Sequence, residues 1–212
     1  MQSLWPTPPR VYGILDTGYV TPQDWVTKCQ ALLDGGADII QLRAKGTTRA
    51  LRRELLESIL PLIALSPTPL VLNDDWELAL EYDHIGVHVG QDDTPVAEVR
   101  SALGPDRVLG LSTHSPAQAD AAIAIAEQLT YFAVGPVFAT QTKPDYTPVG
   151  LELVSYVAGR KPSLPWFCIG GVSRANAKQV IAAGAEALVA VSDLLCAENT
   201  ATAVQELRAT FA

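Results

Sequence analysis

The chain has 212 residues, 48% apolar and 18% charged, enough for a substantial core and unlike a disordered segment. Its 15 Lys and Arg against 23 Asp and Glu give a net charge of −8, a field that repels polyanions and argues against a general nucleic-acid or acidic-membrane binder. Apolar stretches stop well short of a membrane span, and the opening MQSLWPTPPR lacks the basic and apolar regions of a secretory signal, so a cytoplasmic protein is expected.

Short β-rich runs occur at residues 11–15, 39–42, 70–72, 86–89, 108–111, 131–134, 166–169 and 187–191. Between them lie segments such as 23–33, 49–65, 117–127 and 175–183, where apolar residues recur at three- and four-residue spacing. Thr21-Pro22, Thr94-Pro95 and Ser115-Pro116 each place a capping hydroxyl before a proline suited to the first helical position, and Gln118 completes a capping box with Ser115. Gly35-Gly36 and Gly184 fall where helices should end. The returns Gly36-Ala37-Asp38-Ile39 and Gly184-Ala185-Glu186-Ala187 form a weak internal repeat of αβ units.

Strict alternation of strand and helix implies parallel pairing with right-handed crossovers. Eight units fit a compact (β/α)8 barrel, the TIM-barrel arrangement, with a doubly wound open sheet as the rival. Polar residues cluster directly after strands two to eight, which in a barrel is one rim, and this favours the barrel. No linker or composition shift divides the chain, so residues 1–212 are read as a single domain. Cys29, Cys168 and Cys196 are odd in number and widely spaced, which points to reduced packing residues and away from a disulfide or zinc framework.

The strand ends carry the chemistry. In Gln41-Leu42-Arg43-Ala44-Lys45, alternation puts Gln41, Arg43 and Lys45 on one side and Leu42 and Ala44 on the other. Two cations beside an amide suit an anion, and the Arg fork suits phosphate; a solvated basic strand end is the alternative. Asn73-Asp74-Asp75 follows strand three, and His88-Val89-Gly90-Gln91-Asp92-Asp93 closes strand four. Carboxylates from adjacent strand ends suggest a hard divalent metal such as magnesium, with Asp74 and Asp93 sufficient in number. Helix capping is the competing role, assigned to Asp75, with Asp92 a solvated neighbour. His88 and His114 are read as hydrogen-bonded structural residues and His84 as surface. No Ser/His/Asp or Cys/His arrangement is evident.

The Pro/Thr-rich segment 136–148 reads as an active-site loop, and its Thr140-Gln141-Thr142-Lys143 presents hydroxyls and an ammonium over the rim. Gly170-Gly171 follows strand seven, and Val191-Ser192 ends strand eight. Small residues there let backbone N–H groups approach an oxyanion, in the loops that form a frequent barrel phosphate site. A tight turn and core packing are the alternatives. Two anion sites on one rim, one metal-assisted and one glycine-rich, suggest transfer chemistry with diphosphate as leaving group.

The ordered set QLRAK (41–45), NDD (73–75), GVHVGQDD (86–93), GLSTH (110–114), VGPVFATQTKPD (134–145), IGG (169–171) and AVS (190–192) resembles the thiamine-phosphate synthase family, also called thiamine-phosphate pyrophosphorylase. The resemblance runs from residue 11 to residue 194. Each motif alone is weak; their order and spacing together are specific. The resemblance implies a transferase of thiamine biosynthesis that joins hydroxymethylpyrimidine diphosphate to thiazole phosphate, or its carboxylated form, giving thiamine phosphate and diphosphate. It implies that Gln41, Leu42, Arg43, Ala44, Lys45, Asn73, Ser112 and Lys143 contact the pyrimidine diphosphate, with Arg43, Lys45, Ser112 and Lys143 catalytic. It further implies one Mg2+ per subunit on Asp74 and Asp93, and thiazole phosphate on Thr140, Gln141, Thr142, Gly171, Val191 and Ser192, with Tyr12 facing the pyrimidine ring. The partners are then small phosphorylated molecules, with no nucleic acid or membrane, and a homo-oligomer is left open.

Two departures stand out: Ala44 where many members are acidic, and Ala139 where the family often has proline. The rival is a relative that binds thiazole phosphate without synthase activity. The thiazole tautomerase branch, by resemblance, has a histidine at the position of Pro136 and generally lacks the full diphosphate set, and a silent regulatory relative would show broken motifs.

Overall fold

The structure is a computed structural model that describes Trp5, residues 7–140 and residues 147–212. Its strands are β1 (Val11–Asp16), β2 (Ile39–Arg43), β3 (Leu70–Asn73), β4 (Gly86–Val89), β5 (Leu109–Thr113), β6 (Tyr131–Val134), β7 (Trp166–Cys168) and β8 (Leu188–Val189). They close in chain order into one parallel barrel, with β8 returning to β1. The open-sheet rival is thereby excluded. Among the described residues the helices are α1 (Trp25–Asp34), α2 (Arg49–Ile63), α3 (Trp76–Ala79), α4 (Val96–Leu103), α5 (Pro116–Ala124), α6 (Gly150–Arg160), α7 (Ala177–Ala182), α8 (Ser192–Leu195) and α9 (Thr200–Ala209).

The helices bury the stripes that periodicity marks. On α1, Trp25, Cys29 and Leu32 stand at successive turns, and on α6 Leu153 and Val154 lie one turn before Val157. Burying each such side chain contributes about 2 kcal/mol of hydrophobic stabilisation. Inside the barrel, Tyr12, Tyr131 and Phe167 meet edge to face with ring centroids 5.3, 5.4 and 5.6 Å apart, a solid aromatic layer beneath the upper rim. Cys29 and Cys168 are buried packing residues, whereas Cys196 is exposed.

Several caps differ from expectation. Ser115 accepts from the Gln118 N–H as expected, but the Gln118 carbonyl reaches past Ser115 to accept from the His114 N–H. Thr21 instead donates to Asp24 in a turn ahead of α1, and Thr94 accepts from the Trp76 indole, so neither hydroxyl caps a helix. The fifth strand runs two residues further than its apolar pattern, because Thr113 stays in the ladder and donates to the Ala133 carbonyl.

The lower end is tied by Asp38. Its carboxylate accepts from the Arg10 and Val11 N–H groups at 2.8 and 2.9 Å and from the Arg208 guanidinium, while the Trp5 indole donates to its carbonyl. One side chain thus joins the start of β1 to α9, across the seam where β8 meets β1. Asp38→Ala is expected to lower unfolding free energy by about 3 kcal/mol, since charge-assisted bonds to three donors are lost. Urea denaturation measures this, and an unchanged midpoint would contradict the role.

Candidate active site

At the other end of the barrel a pocket of about 360 Å³ opens above the aromatic layer. Because strand side chains alternate, Tyr12 and Ile14 of β1 and Gln41 and Arg43 of β2 reach this lumen. Leu42 and Ala44, the intervening residues, are buried in the core outside it, so their side chains are not placed to touch a ligand there. Asn73, Ser112, Thr140, Gly171, Val191 and Ser192 also line the pocket, as do Pro136 and His88. Gln141, Thr142 and Lys143 lie outside the described residues.

Arg43 is held rigidly. It is the register partner of Asp16 on β1, and its guanidinium donates to that buried carboxylate at 2.6 Å. Sequence reading did not single out Asp16. The signal lay in register: an acid ending the first parallel strand falls beside an arginine ending the second. At these burials, 12% and 2% of the side chains exposed, the pair fixes the fork where one partner alone would carry a desolvation cost.

Beside the pocket the second cluster assembles on the rim. Lys45 lies 3.2 Å from Asp74, and the Asn73 amide donates to the same carboxylate. Asp74 occupies left-handed backbone (φ 64°), which aspartate tolerates better than most residues. Burial pushes its carboxyl above the usual range, Lys45 pulls it down, and the facing Asp93 carboxylate pushes it up again. Asp93 is exposed and accepts from the Gly90 N–H at 2.7 Å, while α4 begins after Pro95 without a side-chain cap. Asp75 caps α3 by accepting from the Leu78 N–H, the role expected of it.

Two facing carboxylates on an open rim are a donor set suited to a hard divalent cation. Among the described residues no group of three or more His, Cys, Asp or Glu gathers to hold a metal, so water and ligand oxygens would complete the shell, as magnesium prefers. The fit rests on repulsion: the Asp93 carboxylate raises the cost of ionising Asp74, a cost that a bound cation would offset.

The opposite wall is backbone. The loop after β6 docks on the end of β7 through Val137 N–H to Ile169 O at 2.8 Å and Phe138 N–H to Gly170 O at 2.9 Å. Gly171 (φ 62°) sits so close that a Cβ would lie 2.6 Å from the Ala139 carbonyl, so only glycine fits. Asn176 donates to the Gly171 carbonyl, and Arg174 binds Asp193, tying the β7 turn to the Ser192 end of β8. His88 is bonded through both ring nitrogens, to Tyr131 and Ser112, and His114 to the Gly135 carbonyl, which agrees with structural roles; His84 is exposed.

Residues 11–194 match the family described as thiamine monophosphate synthase. A thiamine-phosphate synthase of Arthrobacter sp. is 42% identical over 207 residues, covering 88% of this chain and 87% of that protein. One from Shouchella clausii is 37% identical over 203 residues, covering 95% and 96%. The solved thiamine phosphate pyrophosphorylase of Pyrococcus furiosus superposes with a TM-score of 0.82 at 26% identity, covering 95% and 94%. A 3-hexulose-6-phosphate synthase shares the fold alone, at 19% identity and a TM-score of 0.66 over 96% of this chain and all of the other.

Magnesium added with inorganic diphosphate is expected to raise the melting temperature of the wild-type protein, and Asp93→Ala is expected to abolish the increment that magnesium adds. Differential scanning fluorimetry reads both. An increment that survives the substitution would remove the carboxylate pair from the cation site.

Proposed function

The chain belongs to the thiamine monophosphate synthase family, and on that premise we propose that its rim joins hydroxymethylpyrimidine diphosphate to thiazole phosphate, forming thiamine phosphate and diphosphate. The observation that carries this reading is that the Asp16–Arg43 pair and the Lys45–Asp74–Asp93 cluster stand on neighbouring strand ends beside a pocket lined also by Gly171 and Ser192. One side suits a diphosphate and the other a monophosphate.

The bond that breaks joins the pyrimidine methylene carbon to the diphosphate oxygen, which keeps the electron pair. The amino group of the pyrimidine feeds electron density to the methylene cation, so dissociation precedes attack. The thiazole nitrogen then supplies the pair for the new carbon–nitrogen bond and becomes cationic. No proton moves and no protein nucleophile is consumed, which agrees with a site that pairs its histidines within the protein.

The residues act through position and charge. Arg43, fixed by Asp16, and Lys45 lie where negative charge grows on the departing diphosphate, and a preorganised cation is worth most at that point. Ser112 and Asn73 offer donors on the same side, and Lys143 would add a further cation from the loop after β6. Asp74 and Asp93 would hold Mg2+, which when bound supplies positive charge to the leaving group. Thr140, Gly171, Val191 and Ser192, with Gln141 and Thr142, would hold the thiazole phosphate so that its nitrogen faces the methylene. That positioning turns a collision of two molecules into a local event. Pro136 lines the pocket where the tautomerase branch, by resemblance, carries a histidine, which favours the synthase reading.

Purified protein with both substrates and Mg2+ is expected to yield thiamine phosphate, detected after oxidation to a fluorescent thiochrome. EDTA should abolish the product and added Mg2+ restore it; full turnover in metal-free buffer would contradict the metal's role. Asp93→Ala is expected to lower turnover about a hundredfold through loss of charge stabilisation at the leaving group, and near-normal turnover would contradict its assignment.

A further inference from the structure

A continuous chain of polar groups crosses the barrel interior at the floor of the pocket. The Gln41 Nε2 donates to the Tyr12 hydroxyl at 2.5 Å, and the Tyr12 and Tyr131 hydroxyls lie 2.8 Å apart. Tyr131 Oη is 2.9 Å from His88 Nδ1, and His88 Nε2 is 2.9 Å from Ser112 Oγ. Tyr12, Gln41, His88 and Ser112 line the pocket; Tyr131 is not among its lining residues. Gly110, strand partner of both His88 and Tyr131, leaves the space in which they meet. A Cβ there would come within 2.2 Å of Tyr131 Cζ and 2.6 Å of His88 Nδ1.

Proton counting gives the chain a direction. An amide nitrogen has only protons to offer, so the Tyr12 oxygen accepts and its single proton passes to Tyr131. The buried Tyr131 proton has His88 Nδ1 as its acceptor, and in a neutral ring that arrangement puts the imidazole proton on Nε2. That proton is given to the Ser112 oxygen, and the Ser112 proton is left to point elsewhere. Burial keeps both tyrosines protonated, which holds the count. The reverse direction would spend the Ser112 proton on His88 and turn only lone pairs toward an anion.

We propose that Tyr131 is a positioning residue: it relays one hydrogen-bond direction from Gln41 through Tyr12 to His88, fixing the Nε2–H tautomer and reserving the Ser112 hydroxyl proton for an anionic oxygen in the pocket. The anion rests on the synthase reading above. The same direction turns the Gln41 carbonyl oxygen away from Tyr12, an acceptor for an amino group on a bound ring. One relay thus orients a donor for the leaving group and an acceptor for the ring that carries it.

The tautomer of His88 tests the relay without substrate, so its failure and that of the synthase reading are separate results. In 15N-labelled wild-type protein, long-range 1H–15N spectra assigned with a His88→Gln variant are expected to show Nε2–H; an Nδ1–H pattern overturns the proposal. Tyr131→Phe is expected to mix the tautomers and lower kcat about tenfold, the rate equivalent of one neutral hydrogen bond, with KM for thiazole phosphate unchanged. Unaltered tautomer and kcat in that variant overturn the proposal. Should it not fold, Tyr12→Phe breaks the relay one link earlier and is expected to erode the same tautomer preference, and a preference retained there overturns it equally.

Discussion

Opposite charges on neighbouring strand ends hold the upper rim in shape. Asp16 and Arg43 are adjacent because β1 and β2 run parallel in a register that ends both strands at one level. Coulomb attraction at their 2.6 Å separation counts for more than at an exposed surface, since solvent screening is weak at a nearly buried site. The Lys45–Asp74–Asp93 cluster extends the arrangement around the rim with a difference: it is more open to solvent and holds two facing carboxylates for one lysine. The inner pair sets one positive charge against one negative, while the outer cluster has negative charge to spare.

The barrel below makes this rim usable. Edge-to-face packing of Tyr12, Tyr131 and Phe167 fills the lumen, so the pocket has a rigid floor instead of a channel. The loops after β6, β7 and β8 are bonded to one another, and Gly171 is where two of them touch backbone to backbone. A site with fixed cations on one side and fixed backbone on the other is suited to a reaction whose main demand is to hold two substrates in line while charge leaves one of them.

Much of this was legible in the chain. Alternating strand and helix patterns gave the barrel, and residues 86–89 and 131–134 match β4 and β6 at both ends, because apolar runs there are bounded sharply. The eighth strand is shorter than its apolar run: residue 187 precedes the ladder, residue 190 stays buried beyond it, and Val191 lines the pocket just before α8. Thr94 resembled a cap because local pattern cannot foresee that the indole of Trp76 competes for its hydroxyl. The rim residues were found through their order along strands, which survives folding. Asp16 and Tyr131 were missed because their meaning lies in partners 27 and 43 residues away, and only register brings those together.

On the proposed reading, departing phosphate oxygens would meet Arg43, with Asp74 and Asp93 holding a cation that adds positive charge beside them. A crystal structure of the protein grown with Mg2+ and inorganic diphosphate measures this directly. Density for the diphosphate against the Arg43 guanidinium, with a metal between it and the two carboxylates, is the expected result. Diphosphate bound at another face, or seated at the rim with no metal between it and Asp74 and Asp93, would contradict it.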